Sequence, residues 1–534
     1  MKSMIGISSF NARDPMDSCI PNALVYRVRS RAVEVHFLLT LLLCVLDSTV
    51  SLASPPRKGR SPNIIMIMAD DLGYGDLACY GNKVVKTPNL DAMSRSGIRF
   101  ERFYAAAPVC SPTRGSSLTG RHPYRYGITF AGRYGLPSEE VTLAEALKEK
   151  GYATAHFGKW HVGGLSRSVV QSEFPGGPSP YSPPWENGFD ECFSTESMMP
   201  TYNPYYHVGP PSGTPDFRHI QTEVVEKGQS TGGHRWRDLY WTGPGRFVDD
   251  GLAGDDSEII MGRTLDFIQR KTRERTPFLA LVWFHAPHTP IVAGKEELSK
   301  YPGLETPAQH WFGSVSAMDG QIGRLRGELK RLGIEDDTIL WFCSDNGPSY
   351  IHDYNSTGGL KGKKATLHEG GIRVPSILVW PRRVRVPFVS RLPVSTNDFY
   401  PTLLSICGAD VDGQPLLDGR DVLDPILSGV AERTDPLFFQ SPVVNAAKKT
   451  ETTEVLQSAV ILNRFKLVSV DGGNYYALYD LDVDPSEMVD LSDRYPDMKS
   501  ELTARLRDWQ ASCAESAKGR DYAGRNPRHS GGEK

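Results

Sequence analysis

The segment Asn63–Ala69 (NIIMIMA) is apolar without alternation from its second residue onward. A strand with one face in water alternates polar and apolar residues, so an unbroken run of this length suits a strand buried on both faces of a parallel sheet. Parallel neighbours need crossover connections, which places helices against the sheet. Two more runs share this character, Phe278–Phe284 (FLALVWF) and Thr338–Cys343 (TILWFC), and Tyr152–Phe157 and Ser376–Trp380 are shorter strand candidates. Helical periodicity falls between them: Thr142–Gly151 with a glycine stop, Trp311–Leu332, and a helix opening at Asp398; Thr87–Phe100 reads as a further amphipathic helix. The alternation predicts an α/β fold, a large doubly wound sheet flanked by helices, with its site at the carboxyl ends of the strands.

Each long run stops at chemically loaded residues. The first ends in Asp70-Asp71, adjacent carboxylates that are costly at the end of a buried strand unless positive charge meets them. A hard divalent cation would do so; the competing reading is a helix cap and a solvated turn. The second run ends in His285-Ala286-Pro287-His288, the third in Ser344-Asp345-Asn346-Gly347-Pro348, and Tyr152–Phe157 leads into Gly158-Lys159-Trp160-His161. Lys159 and His161 point the same way if the backbone stays extended, and both can then face one anion. A cationic loop, Leu360–Pro375, carries Lys361, Lys363, Lys364 and His368.

The stretch Cys110-Ser111-Pro112-Thr113-Arg114, followed by Thr119-Gly120-Arg121, reads C-x-P-x-R and T-G-R. Alone it describes a small buried thiol before a turn proline as well as anything else. Together with the strand-end motifs, in this order from about Ser61 to Leu491, it resembles the type I sulfatases. The resemblance implies the alkaline-phosphatase-like fold, a mixed sheet, and hydrolysis of a sulfate ester. In that family the cysteine is oxidised to formylglycine, whose hydrate carries two hydroxyls: one attacks sulfur, and the other loses its proton to expel the sulfate again. Carried over by position, Asp70, Asp71, Asp345 and Asn346, with the modified Cys110, would be metal ligands. An all-oxygen set favours Ca²⁺, with Mg²⁺ second. Arg114, Lys159 and Lys364 match the cations that bind sulfate, His161 the partner of the nucleophile, and His288 the acid at the leaving oxygen. Lys364 is preferred to Lys361 and Lys363 only by its spacing to Glu369-Gly370-Gly371, and His288 to His285 only by the family's position. His368 stands where the family often has an aromatic residue. The implied partners are a sulfate-ester small molecule or glycan, and a formylglycine-generating or anaerobic sulfatase-maturating enzyme. A phosphomonoester or phosphonate-ester hydrolase of the same superfamily is the alternative within enzymes. A catalytically inactive binder of sulfated glycans is the alternative outside them.

The 534 residues carry a formal net charge of only -3 with basic and acidic residues interspersed, which offers nothing to nucleic acid. Residues 1–53 read as a secretory signal peptide: Arg27, Arg29 and Arg31 precede the apolar run Phe37–Leu46, and Ser51-Leu52-Ala53 follows. The expected mature protein is exported, periplasmic or secreted, without a membrane span, since the run is too short for one. An uncleaved anchor is the alternative, and the long leading region allows a start downstream of Met1. Cys19 and Cys44 belong to this leader; conversion of Cys110 would leave Cys79, Cys192, Cys343, Cys407 and Cys513, an odd number. From Leu165 to about Asp256 periodicity fails, and the stretch reads as an irregular lid whose Trp185, Tyr205 and Tyr206 either stack on a sugar or pack onto their own domain. The expected organisation is a catalytic domain over 61–425, a small α+β subdomain over 426–515 with short antiparallel strands and a helix from about Pro496 to Ser512, and a loose polar tail over 516–534.

Overall fold

Strand β1 (Asn63–Ala69) is buried at every residue and lies inside a ten-stranded sheet. The computed structural model describes residues 61–523 apart from 133, 168–179, 206–219, 221–223, 229–237, 351–353, 410–413 and 446–449; the expected signal peptide and residues 524–534 lie outside the described residues. The strands that follow are β2 (Ile98–Phe100), β3 (Phe103–Tyr104), β4 (Ala153–Lys159), β5 (Glu191–Thr195), β6 (Tyr240–Gly243), β7 (Arg246–Val248), β8 (Phe278–Trp283), β9 (Thr338–Ser344), β10 (Ser376–Val379), β11 (Phe388–Ser390) and β12 (Val394–Ser395). Strands β3 and β12 pair by themselves, and the large sheet runs β11-β2-β10-β9-β1-β8-β4-β5-β6-β7. Its five central strands, β9, β1, β8, β4 and β5, are mutually parallel. Antiparallel β10 and β6 flank them, so the sheet is mixed, as expected.

Successive side chains of β1 serve opposite layers, which is why its sequence does not alternate. Ile64, Met66 and Met68 join Leu118, Leu143 and Leu403 on one side, whereas Ile65, Ile67 and Ala69 join Ile260, Leu265, Val315 and Ile322 on the other. The helices packed in these layers are α1 (Pro88–Ser96), which adds Leu90 and Met93 to the second, α2 (Cys110–Thr119), α3 (Leu143–Lys148), α4 (Asp256–Glu274), α5 (Thr306–Arg331) and α6 (Phe399–Cys407). Helix α3 starts with a full capping box between Thr142 and Glu145.

Two expectations change, and a choice left open is decided. The helix expected over Thr87–Phe100 stops at Ser96, and Ile98–Phe100 is strand β2: Gly97 lies against β10 so closely that a Cβ there would sit 2.2 Å from the Leu378 carbonyl oxygen. The stretch expected to be irregular contains β5, β6 and β7, which extend the sheet, with all of β5 paired in parallel to residues 155–159 of β4. Strands of three to five residues are too short to show a clear period, and this hid them. Tyr205 is buried, with its hydroxyl bonded to the Val248 carbonyl and to the Tyr240 N–H, and so is not offered to a sugar. Trp185 packs on the core and donates its indole N–H to Tyr181 at 3.1 Å; Tyr206 lies outside the described residues.

Four further strands, β13 (Leu437–Asn445), β14 (Thr450–Leu462), β15 (Phe465–Ser469) and β16 (Ala477–Asp480), form the antiparallel C-terminal sheet. One face takes Leu502, Leu506 and Trp509 of helix α7, which runs Pro496–Ala517 and so outlasts its expected end. The other face packs Phe439 and Ile461 against Tyr104, Leu367 and Ile372. The described residues from Ser61 to Ala523 belong to one compact unit. The described part of the tail is not loose: Asp521 pairs with buried Arg121 at 2.7 Å, and the Tyr522 hydroxyl donates to Glu140 at 2.5 Å.

Candidate active site

The parallel register brings four strand ends level. Ala69 lies opposite Ser344, Met68 opposite Trp283, and Gly158 opposite Trp283, so the residues that follow β1, β9, β8 and β4 emerge together at one edge. Helix α2 begins at the same place, with Cys110 in its first turn and no acidic residue there. A helix N-terminus of this kind favours anions through its free N–H groups and dipole. Cys110, Asp70 and Asp345 offer donor atoms that all lie within 4.8 Å of one another, as do Asp70, Asp71 and His288.

Three cations are threaded among the carboxylates. Lys159 Nζ donates to Asp70 Oδ2 at 2.7 Å, Arg114 Nη2 donates to Asp345 Oδ2 at 2.7 Å, and Lys364 Nζ donates to Asp71 Oδ1 at 2.6 Å. Asn346 Nδ2 also donates to Asp71 Oδ1 at 2.7 Å, and the Asp71 N–H donates to Asp345 Oδ1 at 3.1 Å. Arg114 lies with Cζ 5.2 Å from the centre of the Trp283 ring and donates from Nη1 to the Lys159 carbonyl. Lys361 reaches the Glu487 carbonyl at 3.2 Å, so of the loop's lysines Lys364 is the one whose ammonium bonds to Asp71. The sequence alone had left that choice to spacing.

The two histidines also separate. His288 Nε2 is 3.6 Å from Asp71 Oδ2, and its Nδ1 donates to the Thr289 carbonyl at 2.6 Å. His285 is spoken for elsewhere: Nδ1 lies 2.8 Å from Asp256 Oδ2 and Nε2 lies 2.7 Å from Thr195 Oγ1, with the Tyr240 hydroxyl also on Asp256. His161 is buried with neither ring nitrogen hydrogen-bonded among the described residues, and its φ is +57°. Asp71 shares that left-handed backbone at +63°. Non-glycine residues held there mark an over-determined site.

The electrostatics follow from burial. Burial alone would raise the Asp70 carboxyl, yet Lys159, His288, Arg114 and Lys364 hold it well below its ordinary value. Burial and neighbouring Asp70 push Asp345 up to about 7 against the pull of Arg114 and Lys159. Burial also raises the Cys110 thiol, so the unmodified side chain is a poor source of thiolate. Burial and the cations Lys159 and Arg114 keep His161 neutral, well below its ordinary value. Burial brings His288 down to about 4, with Lys159 and Lys364 adding to it and Asp70 and Asp71 opposing. An oxygen-binding cation fits this set: Asp70 Oδ1 and Asn346 Oδ1 are buried acceptors with no hydrogen-bond partner among the described residues, which is costly unless something positive takes them.

Close packing sets the loops that carry these groups. A Cβ at Gly347 would sit 1.9 Å from the Gly370 carbonyl oxygen, so the turn after Asn346 and the turn after Glu369 touch backbone to backbone. Sequence reasoning passed over Glu196, just after β5, whose carbonyl accepts the His161 N–H at 3.1 Å and whose Oε2 accepts the Leu165 N–H at 3.2 Å. It also passed over Lys466 of β15, fully buried between Glu369 at 3.0 Å and Glu487 at 3.1 Å. Burial raises the Glu487 carboxyl less than Lys466 and His368 lower it, which brings it to about 2. His368, where an aromatic was expected by resemblance, is 3.3 Å from the same carboxylate. No local signal in the sequence marks either pairing, because both partners come from distant segments.

The family description Sulfatase matches residues 62–409. The chain belongs to the sulfatase family. It is a sulfuric ester hydrolase by that membership, and a second description, N-sulphoglucosamine sulphohydrolase, C-terminal, matches residues 361–512 of this sulfatase. The mouse (Mus musculus) steryl-sulfatase is 32% identical over 468 residues, covering 75% of this chain and 71% of that protein. The dog (Canis lupus familiaris) N-acetylgalactosamine-6-sulfatase is 31% identical over 423 residues, covering 75% and 72%. Among solved structures, Ps i-CgsB in complex with k-i-k-neocarrahexaose superposes with a TM-score of 0.71 at 24% identity, covering 87% of this chain and 97% of that one, a likeness of fold. Among the described residues of the sulfatase no helix is long and apolar enough to cross a membrane.

Proposed function

We propose that this sulfatase releases sulfate from a sulfated carbohydrate or an aryl sulfate, with a formylglycine at position 110 as nucleophile. The observation that carries the reading is the convergence of Cys110, Asp70 and Asp345 donor atoms within 4.8 Å at the start of α2, ringed by Arg114, Lys159 and Lys364. Three carboxylates and three cations balance before any ion is added. A divalent cation held by Asp70, Asp71, Asp345, Asn346 and residue 110 would make the site net positive, which suits an anionic ester, and would ease ionisation of the attacking hydroxyl. Ca²⁺ is the first choice for this oxygen set and Mg²⁺ the second.

The chain's own groups then divide the work. Among the described residues Lys159 makes one bond of the three its ammonium can make and Arg114 Nε has no hydrogen-bond partner, so both retain donors for sulfate oxygens. Lys364 adds a third cation at the same anion. These fixed charges stabilise the oxygens where negative charge grows as the ester bond breaks. Neutral His161, with two unpartnered nitrogens, accepts the proton that a hydroxyl on residue 110 must lose. His288 faces the site with Nε2 and protonates the leaving oxygen; a bound sulfate's negative charge works against the cations that now depress its pKa.

The relatives pull the substrate two ways, one named for steryl sulfate and one for a sulfated amino sugar. The structural likeness to a protein solved with a neocarrahexaose adds weight to the carbohydrate. Export follows from the run Phe37–Leu46 with its arginines, and a maturating enzyme that oxidises Cys110 is the partner this chemistry requires. The test is mass spectrometry of the peptide carrying residue 110, together with sulfate release from a panel of sulfated sugars, a steryl sulfate and nitrophenyl sulfate. Active material should carry the aldehyde; an active preparation holding only the thiol refutes the nucleophile.

A further inference from the structure

Lys364 is followed by Ala365, a non-glycine residue at φ +66°. Such a backbone is strained and survives only where its surroundings impose it. Three contacts impose it here. The Lys364 N–H donates to the Pro348 carbonyl at 3.0 Å, and the Ala365 N–H donates to the Pro108 carbonyl at 2.8 Å, tying the loop to the Asn346 turn and to the approach to Cys110. The third contact comes from the C-terminal sheet. Gln457, buried on β14, accepts the Leu367 N–H through Oε1 at 3.0 Å and donates from Nε2 to the Ala365 carbonyl at 2.8 Å and to the Pro442 carbonyl at 3.2 Å. Only this orientation of the carboxamide serves an N–H and two carbonyls at once.

We infer that Gln457 is a positioning residue for Lys364, so that the C-terminal sheet is part of the active-site apparatus. The inference rests on the proposed role of Lys364 at the sulfate. Gln457 grips the chain on both sides of Thr366 and closes off the relaxation open to Ala365, a swing of the peptide that would carry Lys364 Nζ away from Asp71 Oδ1. Without the carboxamide, a buried carbonyl and a buried N–H lose their partners, and the loop recovers them by moving. Displacement of a binding group by about 1 Å can cost on the order of 100-fold in rate.

The experiment uses the full-length matured enzyme with nitrophenyl sulfate. Gln457→Leu leaves an apolar side chain with neither donor nor acceptor and so removes all three bonds, and kcat/KM is expected to fall by about tenfold to a hundredfold. In a Lys364→Ala background the same substitution should change kcat/KM less than about twofold, because the group it positions is gone. Adding Ala365→Gly to Gln457→Leu should not rescue the rate, since glycine frees the backbone further, whereas Gln457→Asn, which keeps the amide on a shorter stem, should fall between wild type and leucine. Equal losses from Gln457→Leu with and without Lys364 overturn the inference, as does a Gln457→Leu enzyme of wild-type activity. If the leucine variant does not fold, the same cycle run with Gln457→Asn decides it by the same criterion. A Lys364→Ala enzyme of undiminished activity instead refutes the role of Lys364 itself.

Discussion

Replacing Glu196 with Gln is expected to remove a loss of stability that the wild-type protein suffers as pH rises toward neutrality. Glu196 is buried beside Asp238, which accepts the backbone N–H groups of Glu196 and Ser197. Burial, then the Asp238 charge, moves the Glu196 carboxyl from 4.5 to about 7. Folding therefore favours the protonated form. Between pH 4.5 and 7 the folded protein keeps a proton that the unfolded chain has released, so the contribution is present in full below the unfolded value and is lost as pH rises through about 7. The rise from 4.5 to about 7, at 1.36 kcal/mol for each tenfold in proton affinity, makes the loss about 3 kcal/mol. Glutamine carries no charge at any of these pH values, and its Oε1 can still accept the Leu165 N–H. The variant should match wild type near pH 4.5 and exceed it by up to about 3 kcal/mol at pH 8. Asp238, raised by burial to about 6, keeps a slope of its own in both proteins. Scanning calorimetry at one scan rate across pH 4.5 to 8, in steps, measures the difference. Two melting curves that stay parallel, offset by a constant at every pH, would show that Glu196 is ionised in the fold and refute the reasoning.

The other expectations concern the site. Asp345→Ala should lose both bound metal, measured by elemental analysis of the purified protein, and activity; stoichiometric calcium in that variant contradicts the ligand set. His288→Ala should lose roughly 10² to 10⁴ in rate on a sugar sulfate, whose alkoxide needs a proton, and much less on nitrophenyl sulfate, whose phenolate leaves unaided. Equal losses on both esters, with the selective loss appearing in His285→Ala, would exchange the two histidines' roles. Cys110→Ser, which has one hydroxyl and no second to expel the sulfate, should accumulate a covalent sulfate ester visible by intact-mass measurement; steady turnover by the serine variant excludes the double-hydroxyl mechanism.

What the chain's own order of residues decides here is the kind of element and the chemistry at its end. Strand β1 declares itself because a strand buried on both faces has no reason to alternate, and Asp70-Asp71, His285–His288 and Asp345-Asn346 are legible because each follows such a run directly. The strands β5 to β7 were not legible: each is short, and the long insertion between β5 and β6 dilutes any period. The same limit applied to choices among near-identical residues. Lys361, Lys363 and Lys364 differ by nothing a local pattern can weigh, and only the approach of Lys364 Nζ to Asp71 across 293 positions separates them. Gln457 bonds across 90 and 92 positions to Leu367 and Ala365, and Lys466 across 97 to Glu369. Contacts at such separations are fixed by how the two sheets pack against the loop between them, an outcome of the whole chain's burial that leaves no trace in the residues on either side.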